Sequence, residues 1–122
     1  MLKALAIALA ALGVAAPAAA ATTPHVVVGM GEQNPGLFDD ERFLDTGITH
    51  ARLIVPYNVV KAGSWPLDAA AVWLARARHE GIEPLVTFSR RWGPKKRRYH
   101  LPSVREYSKR IAEFRARFPW VR

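Results

Sequence analysis

Asp45-Thr46-Gly47-Ile48-Thr49-His50-Ala51-Arg52-Leu53-Ile54-Val55-Pro56-Tyr57 is the stretch that decides the fold class. A glycine placed to cap a helix is followed by an isoleucine and then by a run rich in β-formers, Ala51 to Val55. Pro56 closes that run, because proline has no N–H to give to a ladder. The same punctuation recurs at His79-Glu80-Gly81-Ile82, which leads into Glu83-Pro84-Leu85-Val86-Thr87-Phe88. Pro84 is tolerated there because it stands near the strand's start. A repeat of roughly 35 residues is the length of a strand plus its crossover helix. The class read from it is α/β with parallel strands.

Working outward, the segment between the two strands opens on Ser64-Trp65-Pro66-Leu67-Asp68, with proline suited to a first helical turn and an acid beside it. Leu67, Ala71, Leu74 and Ala75 repeat at helical spacing, and Gly81 ends the helix. Upstream, His25-Val26-Val27-Val28-Gly29-Met30-Gly31 reads as a first strand buried on both faces. Glu32-Gln33-Asn34-Pro35-Gly36 is a turn. Asp39-Asp40-Glu41 starts a short helix at the positive end of its dipole, with Phe38, Phe43 and Leu44 toward a core and Gly47 as cap. Downstream, a basic loop precedes Ser103-Val104-Arg105-Glu106, a capping box. Val104, Tyr107, Ile111, Phe114 and Phe118 then give a helix with one apolar stripe. A fourth strand is due at Phe118-Pro119-Trp120-Val121-Arg122. Three strand–helix units leave sheet edges and apolar surface uncovered, so the chain reads as a truncated frame or as one that needs a partner.

The first residues form a separate block. Met1-Leu2-Lys3 is a short positive start, Ala4 to Ala16 is apolar, Pro17 breaks the run, and Ala18 to Ala21 are small. That order is the pattern of a secretory signal, too short for a comfortable membrane span. The expected division is a signal peptide over 1–21 and one domain over 22–122, secreted or periplasmic, with no stable membrane span after cleavage. With no cysteine in 122 residues, the domain relies on its core rather than on disulfides. The net charge of +8 concentrates at Arg90-Arg91 and Lys95-Lys96-Arg97-Arg98. A charge of that kind attracts an acidic polymer or an anionic surface, or is simply a solvated face. The export signal argues against nucleic acid.

Other chemistry has little support. His25, His50, His79 and His100 lack metal-ligand spacing, and without cysteine no zinc site is expected. Gly29-Met30-Gly31 is only part of a phosphate-binding glycine loop, and there is no Gly-x-Ser-x-Gly elbow. No cofactor or metal is expected.

Val26-Val27-Val28-Gly29-Met30-Gly31-Glu32-Gln33-Asn34, His50-Ala51-Arg52-Leu53-Ile54-Val55-Pro56-Tyr57 and Glu83-Pro84-Leu85-Val86-Thr87-Phe88 together resemble the N-terminal third of exported bacterial proteins of the glycoside hydrolase TIM-barrel superfamily, clan-A-like. The resemblance covers nearly all of 22–122. It implies a partial (β/α)8 TIM barrel of about three βα units and, for a whole protein, hydrolysis of O-glycosidic bonds by two carboxylates. In that clan the acid/base glutamate follows an asparagine at the end of the fourth strand, and the nucleophile ends the seventh. Both positions would lie past Arg122, so this chain is expected to be an inactive fragment, with no catalytic residue of its own. A non-catalytic exported module binding glycans or cell-envelope polymers, or a small α/β module that oligomerises, are the other readings.

In a barrel, the loops after the strands line the site. Glu32, Gln33 and Asn34 after the first strand are either sugar contacts or turn residues. His50, Arg52, Ile54 and Pro56 share one side of the second strand. The resemblance implies that Arg52 reaches the catalytic carboxylates, the alternative being an ion pair at the barrel floor. Tyr57 and Trp92 suit a glycan platform or ordinary packing, whereas Trp65 and Trp73 read as packing. Arg90, with Arg91, is placed to meet an acidic sugar. The expected partner is carbohydrate.

Overall fold

The structure, a computed structural model, describes residues 26–122. The expected signal peptide, 1–21, lies outside the described residues.

Three parallel strands run in the order β1 (Met30–Gly31), β2 (His50–Pro56), β3 (Glu83–Ser89). The connections carry α1 (Glu41–Leu44), α2 (Val59–Ala62) and α3 (Ser64–His79), with a 3-10 turn at Pro35–Asp39 before α1, and α4 (Lys95–Arg98) and α5 (Val104–Arg117) follow β3. The two glycine junctions do what their sequence implies. Gly47 and Gly81 have φ of 68° and 69°, the left-handed region where a side chain would be strained. Ile82 is buried directly behind the second of them, and its N–H donates to Ala77 O at 2.8 Å.

Helices cover one face of the sheet. On β2 the covered side is Ala51, Leu53 and Val55, all buried, and in register beside them on β3 stand Pro84, Val86 and Phe88. His50, Arg52 and Ile54 with Glu83, Leu85 and Thr87 form the other face, which is open; Leu85 is 63% exposed. The expectation of strands buried on both faces is therefore corrected to one. Trp73 of α3 is the centre of the core. It is fully buried, edge-on to Phe38 with ring centroids 4.9 Å apart. Ala70, Leu74 and Ala77 flank it, so the buried stripe of α3 is turned toward Trp73 and leaves Ala75 exposed. Phe114 and Phe118 of the α5 end complete the core, Phe114 lying edge-on to Phe88 at 5.1 Å. Ser103 caps α5 by accepting the Glu106 N–H at 3.2 Å, as expected, but Val104 faces solvent.

Two expected strands differ. Val26, Val27 and Val28 are exposed, and only Met30–Gly31 pairs. The register explains this. Met30 lies beside Ala51, so Val26 to Val28 would stand beside the Gly47 turn and Thr49, before β2 begins at His50. Residues 118–122 form a turn, not a fourth strand. Phe118 N–H still bonds Phe114 O, Val121 N–H bonds Phe118 O, and Trp120 lies under the Arg78 guanidinium at 5.2 Å.

Candidate functional site

Parallel strands place all their C-terminal ends on one side, and in α/β folds ligands collect there. That side here carries the segment after Gly31, the Tyr57-Asn58 corner and the Arg90–Trp92 segment.

The first segment is held by its own side chains. Beyond Gly31 the pairing of β1 stops, and the Gln33 amide takes over: Oε1 accepts the Ile54 N–H at 2.8 Å and Nε2 donates to Arg52 O at 3.4 Å. Glu32 Oε1 accepts the N–H groups of Gln33 and Asn34 at 2.6 and 2.8 Å. Asn34 Oδ1 accepts the Gly36 N–H at 2.9 Å and caps the 3-10 turn. The Trp73 indole N–H donates to Glu32 O at 3.0 Å, tying the loop to the core. Of the two readings open for Glu32, Gln33 and Asn34, these bonds are those of a turn.

The Asn34 and Gln33 N–H groups, in that order, hold the Glu32 carboxyl below its usual value of 4.5. A carboxyl depressed in the fold stabilises it above the unfolded value and ceases to do so as pH falls through the folded one. We therefore expect chemical denaturation to show stability declining as pH drops below about 4.5, and less steeply in Glu32→Gln. Equal pH profiles for the two proteins would contradict the assignment. Asp40, lowered first by the Arg42 side chain, contributes to the same decline in both.

Arg52 lies on the open face, exposed, with its guanidinium passing over Gly31. No carboxylate lies within ion-pair distance of it among the described residues. A floor ion pair is thus not formed within this segment.

Tyr57 turns inward. It is 3% exposed and packs on Tyr107 with centroids 5.9 Å apart, so its ring face is a wall rather than a platform. Asn58, absent from the residues singled out by sequence, is the buried polar residue of the described core. Its side chain clamps the next strand's loop from both sides. Oδ1 accepts the Trp92 N–H at 2.8 Å, and Nδ2 donates to Trp92 O at 3.1 Å. Such a bidentate amide replaces a missing ladder step and fixes where the Trp92 ring emerges.

Trp92 meets Trp65 from the start of α3. The rings are 5.3 Å apart at an angle of 33°, and they remain 44% and 66% exposed. They flank a cleft of about 400 Å³ whose wall includes Gln33, Ile54, Pro56 and Pro66. That volume falls within the range of about 300–1,000 Å³ typical of small-ligand sites. Trp65, expected to be packing, is the more exposed partner of the pair.

On the other side of the same loop, Arg90 lies over the Tyr99 ring at 5.4 Å and donates to its hydroxyl at 3.4 Å. Arg90 is thus close to the strand ends, as expected, but opens onto a different cleft from Trp92.

Among the described residues, no group of His and acidic side chains is arranged to hold a metal ion, and no helix is long and apolar enough to cross a membrane. No protein-family model, curated protein or solved structure matches the chain.

Proposed function

We propose that this chain supplies the carbohydrate-binding edge of a glycoside-hydrolase-like (β/α) barrel acting outside the cytoplasm. The observation that carries the reading is the Trp65–Trp92 pair, solvent-exposed at the C-terminal end of parallel strands beside an apolar cleft. Sugar rings present faces of C–H groups that lie on aromatic rings, while their hydroxyls need neighbouring polar groups. The open sheet face supports the barrel reading, since a barrel's strands show one face to helices and the other to the barrel interior.

Hydrolysis of a glycosidic bond needs two carboxylates across the bond. Glu32 is the acid next to a strand's C-terminal end here, and its carboxylate already accepts two backbone N–H groups. Glu83 begins β3 at the opposite end of the sheet. This favours a binding role for the segment, and it equally supports the second reading, a non-catalytic exported glycan-binding module.

Trp92→Ala is expected to weaken binding of neutral oligosaccharides about tenfold, the equivalent of one aromatic stacking contact. Affinity electrophoresis with immobilised neutral polysaccharides reads this directly. Unchanged mobility in Trp92→Ala, for a polysaccharide that retards the parent protein, would remove the aromatic pair from the site.

A further inference from the structure

We propose that the second cleft at the strand ends takes the anionic substituent, a carboxylate or sulfate ester, of an acidic glycan whose neutral portion lies on Trp65 and Trp92. The proposal rests on the carbohydrate reading above and names its substrate class. The cleft, of about 360 Å³, is lined by Tyr57, Arg90, Arg98, Tyr99, His100 and Tyr107. It adjoins the aromatic site, because the 90–92 segment contributes Arg90 to one and Trp92 to the other.

The charge around it is one-sided. From Pro84 to Arg105 the sequence has no Asp or Glu, yet it holds Arg90, Arg91, Lys95, Lys96, Arg97, Arg98 and Arg105. None of these seven joins an ion pair among the described residues. Ordinary surface cations are interspersed with acids, and an unbalanced set in a concave site focuses potential on an anion. The geometry is also partly set in advance. Stacking on Tyr99 and the bond to its hydroxyl hold the Arg90 guanidinium in place, and a guanidinium has five donors, which leaves others free for the oxygens of a carboxylate or sulfate. Arg98 is half-buried in the same cleft, which the Tyr57–Tyr107 pair closes on one side. Charge-assisted hydrogen bonds from two such arginines favour a charged sugar over its neutral counterpart.

The test compares the whole chain with Arg90→Gln/Arg98→Gln, using polygalacturonate oligomers, sulfated oligosaccharides and uncharged oligomers of the same length, at about 50 and about 500 mM salt. Circular dichroism confirms that the variant folds. The parent is expected to bind at least one acidic oligomer about tenfold more tightly than its neutral counterpart, and to lose that margin at high salt. Polygalacturonate and sulfated arms distinguish carboxylate from sulfate. The double variant should lose the margin and keep its affinity for neutral oligomers. Equal, salt-independent binding of acidic and neutral oligomers would overturn the anionic subsite and leave the carbohydrate reading standing. Binding of duplex DNA as tight as that of the acidic oligomer, and unaffected by Trp92→Ala, would overturn it in favour of a general polyanion surface. Failure to bind any glycan would overturn the carbohydrate reading itself.

Discussion

Trp73→Ala is expected to destabilise the fold by about 3–5 kcal/mol, the cost of emptying a fully buried indole site. Trp73 lies edge-on to Phe38 on one side and bonds Glu32 O through its N–H on the other, so it ties α3 to both the 3-10 turn and the loop that follows β1. A loss of that size is a large share of the roughly 5–15 kcal/mol that holds an ordinary domain together. A variant of this kind would therefore be largely unfolded or melt early. Urea denaturation followed by far-UV circular dichroism measures it, the midpoint falling without a change of slope. Trp73→Phe separates the two contributions. It keeps a ring against Phe38, loses the hydrogen bond and leaves a smaller cavity, and should fall between alanine and the parent. A loss under about 1 kcal/mol in Trp73→Ala would mean that the indole is not a core residue.

Asn58→Ala is the second large effect, and it should be felt in both stability and binding. Removing the amide leaves the Trp92 N–H and C=O without their partners at 2.8 and 3.1 Å. Loss of a partly buried pair of this kind costs about 2 kcal/mol. The consequence for function is more specific. Asn58 is what fixes the loop after β3 to the corner after β2, and thereby sets Trp92 beside Trp65. Asn58→Ala should consequently weaken neutral-oligosaccharide binding about as much as Trp92→Ala does, although Asn58 does not line that cleft. Asn58→Asp retains an acceptor for the Trp92 N–H but sets a buried carboxylate oxygen against the Trp92 carbonyl, and should be no better than alanine at neutral pH. Calorimetric titration of the folded variants checks this. An Asn58→Ala protein that is less stable but binds as the parent does would make Asn58 a packing residue only.

Much of this arrangement is legible in the sequence, and the exceptions have identifiable causes. Gly47-Ile48 and Gly81-Ile82 announced two helix caps and two strands, because a left-handed cap followed by a β-branched residue is a local signal. The valines of 26–28 misled for a non-local reason. Their β-propensity is plain from composition, but the register with β2 places them before their partner begins, so they form no strand. Tyr57 takes the packing role, one of its two readings, and Trp65 departs from the packing expected of it, for two different reasons. Alternation along β2 already put Tyr57 in the buried series of Ala51, Leu53 and Val55, and that parity outweighs its place at the strand's end. Trp65 precedes a buried Pro66 at the start of α3, so the helix face that enters the core leaves it outside. The Asn58 clamp had no local signal beyond a polar residue just past a strand's end, because its partner is 34 residues away.

The most direct measurement is the response of the tryptophan side chains to sugar. The chain has four, Trp65, Trp73, Trp92 and Trp120, each with one indole N–H. Their resonances can be assigned by single substitution in a nitrogen-15 spectrum of the folded protein. Cello-, xylo- and manno-oligosaccharides are then titrated in. The Trp65 and Trp92 signals should move together along one binding curve, with Trp73, buried and bonded to Glu32 O, left in place. An unchanged spectrum with every oligosaccharide, or movement of Trp120 while Trp65 and Trp92 stay still, would contradict a carbohydrate site at the C-terminal ends of these strands.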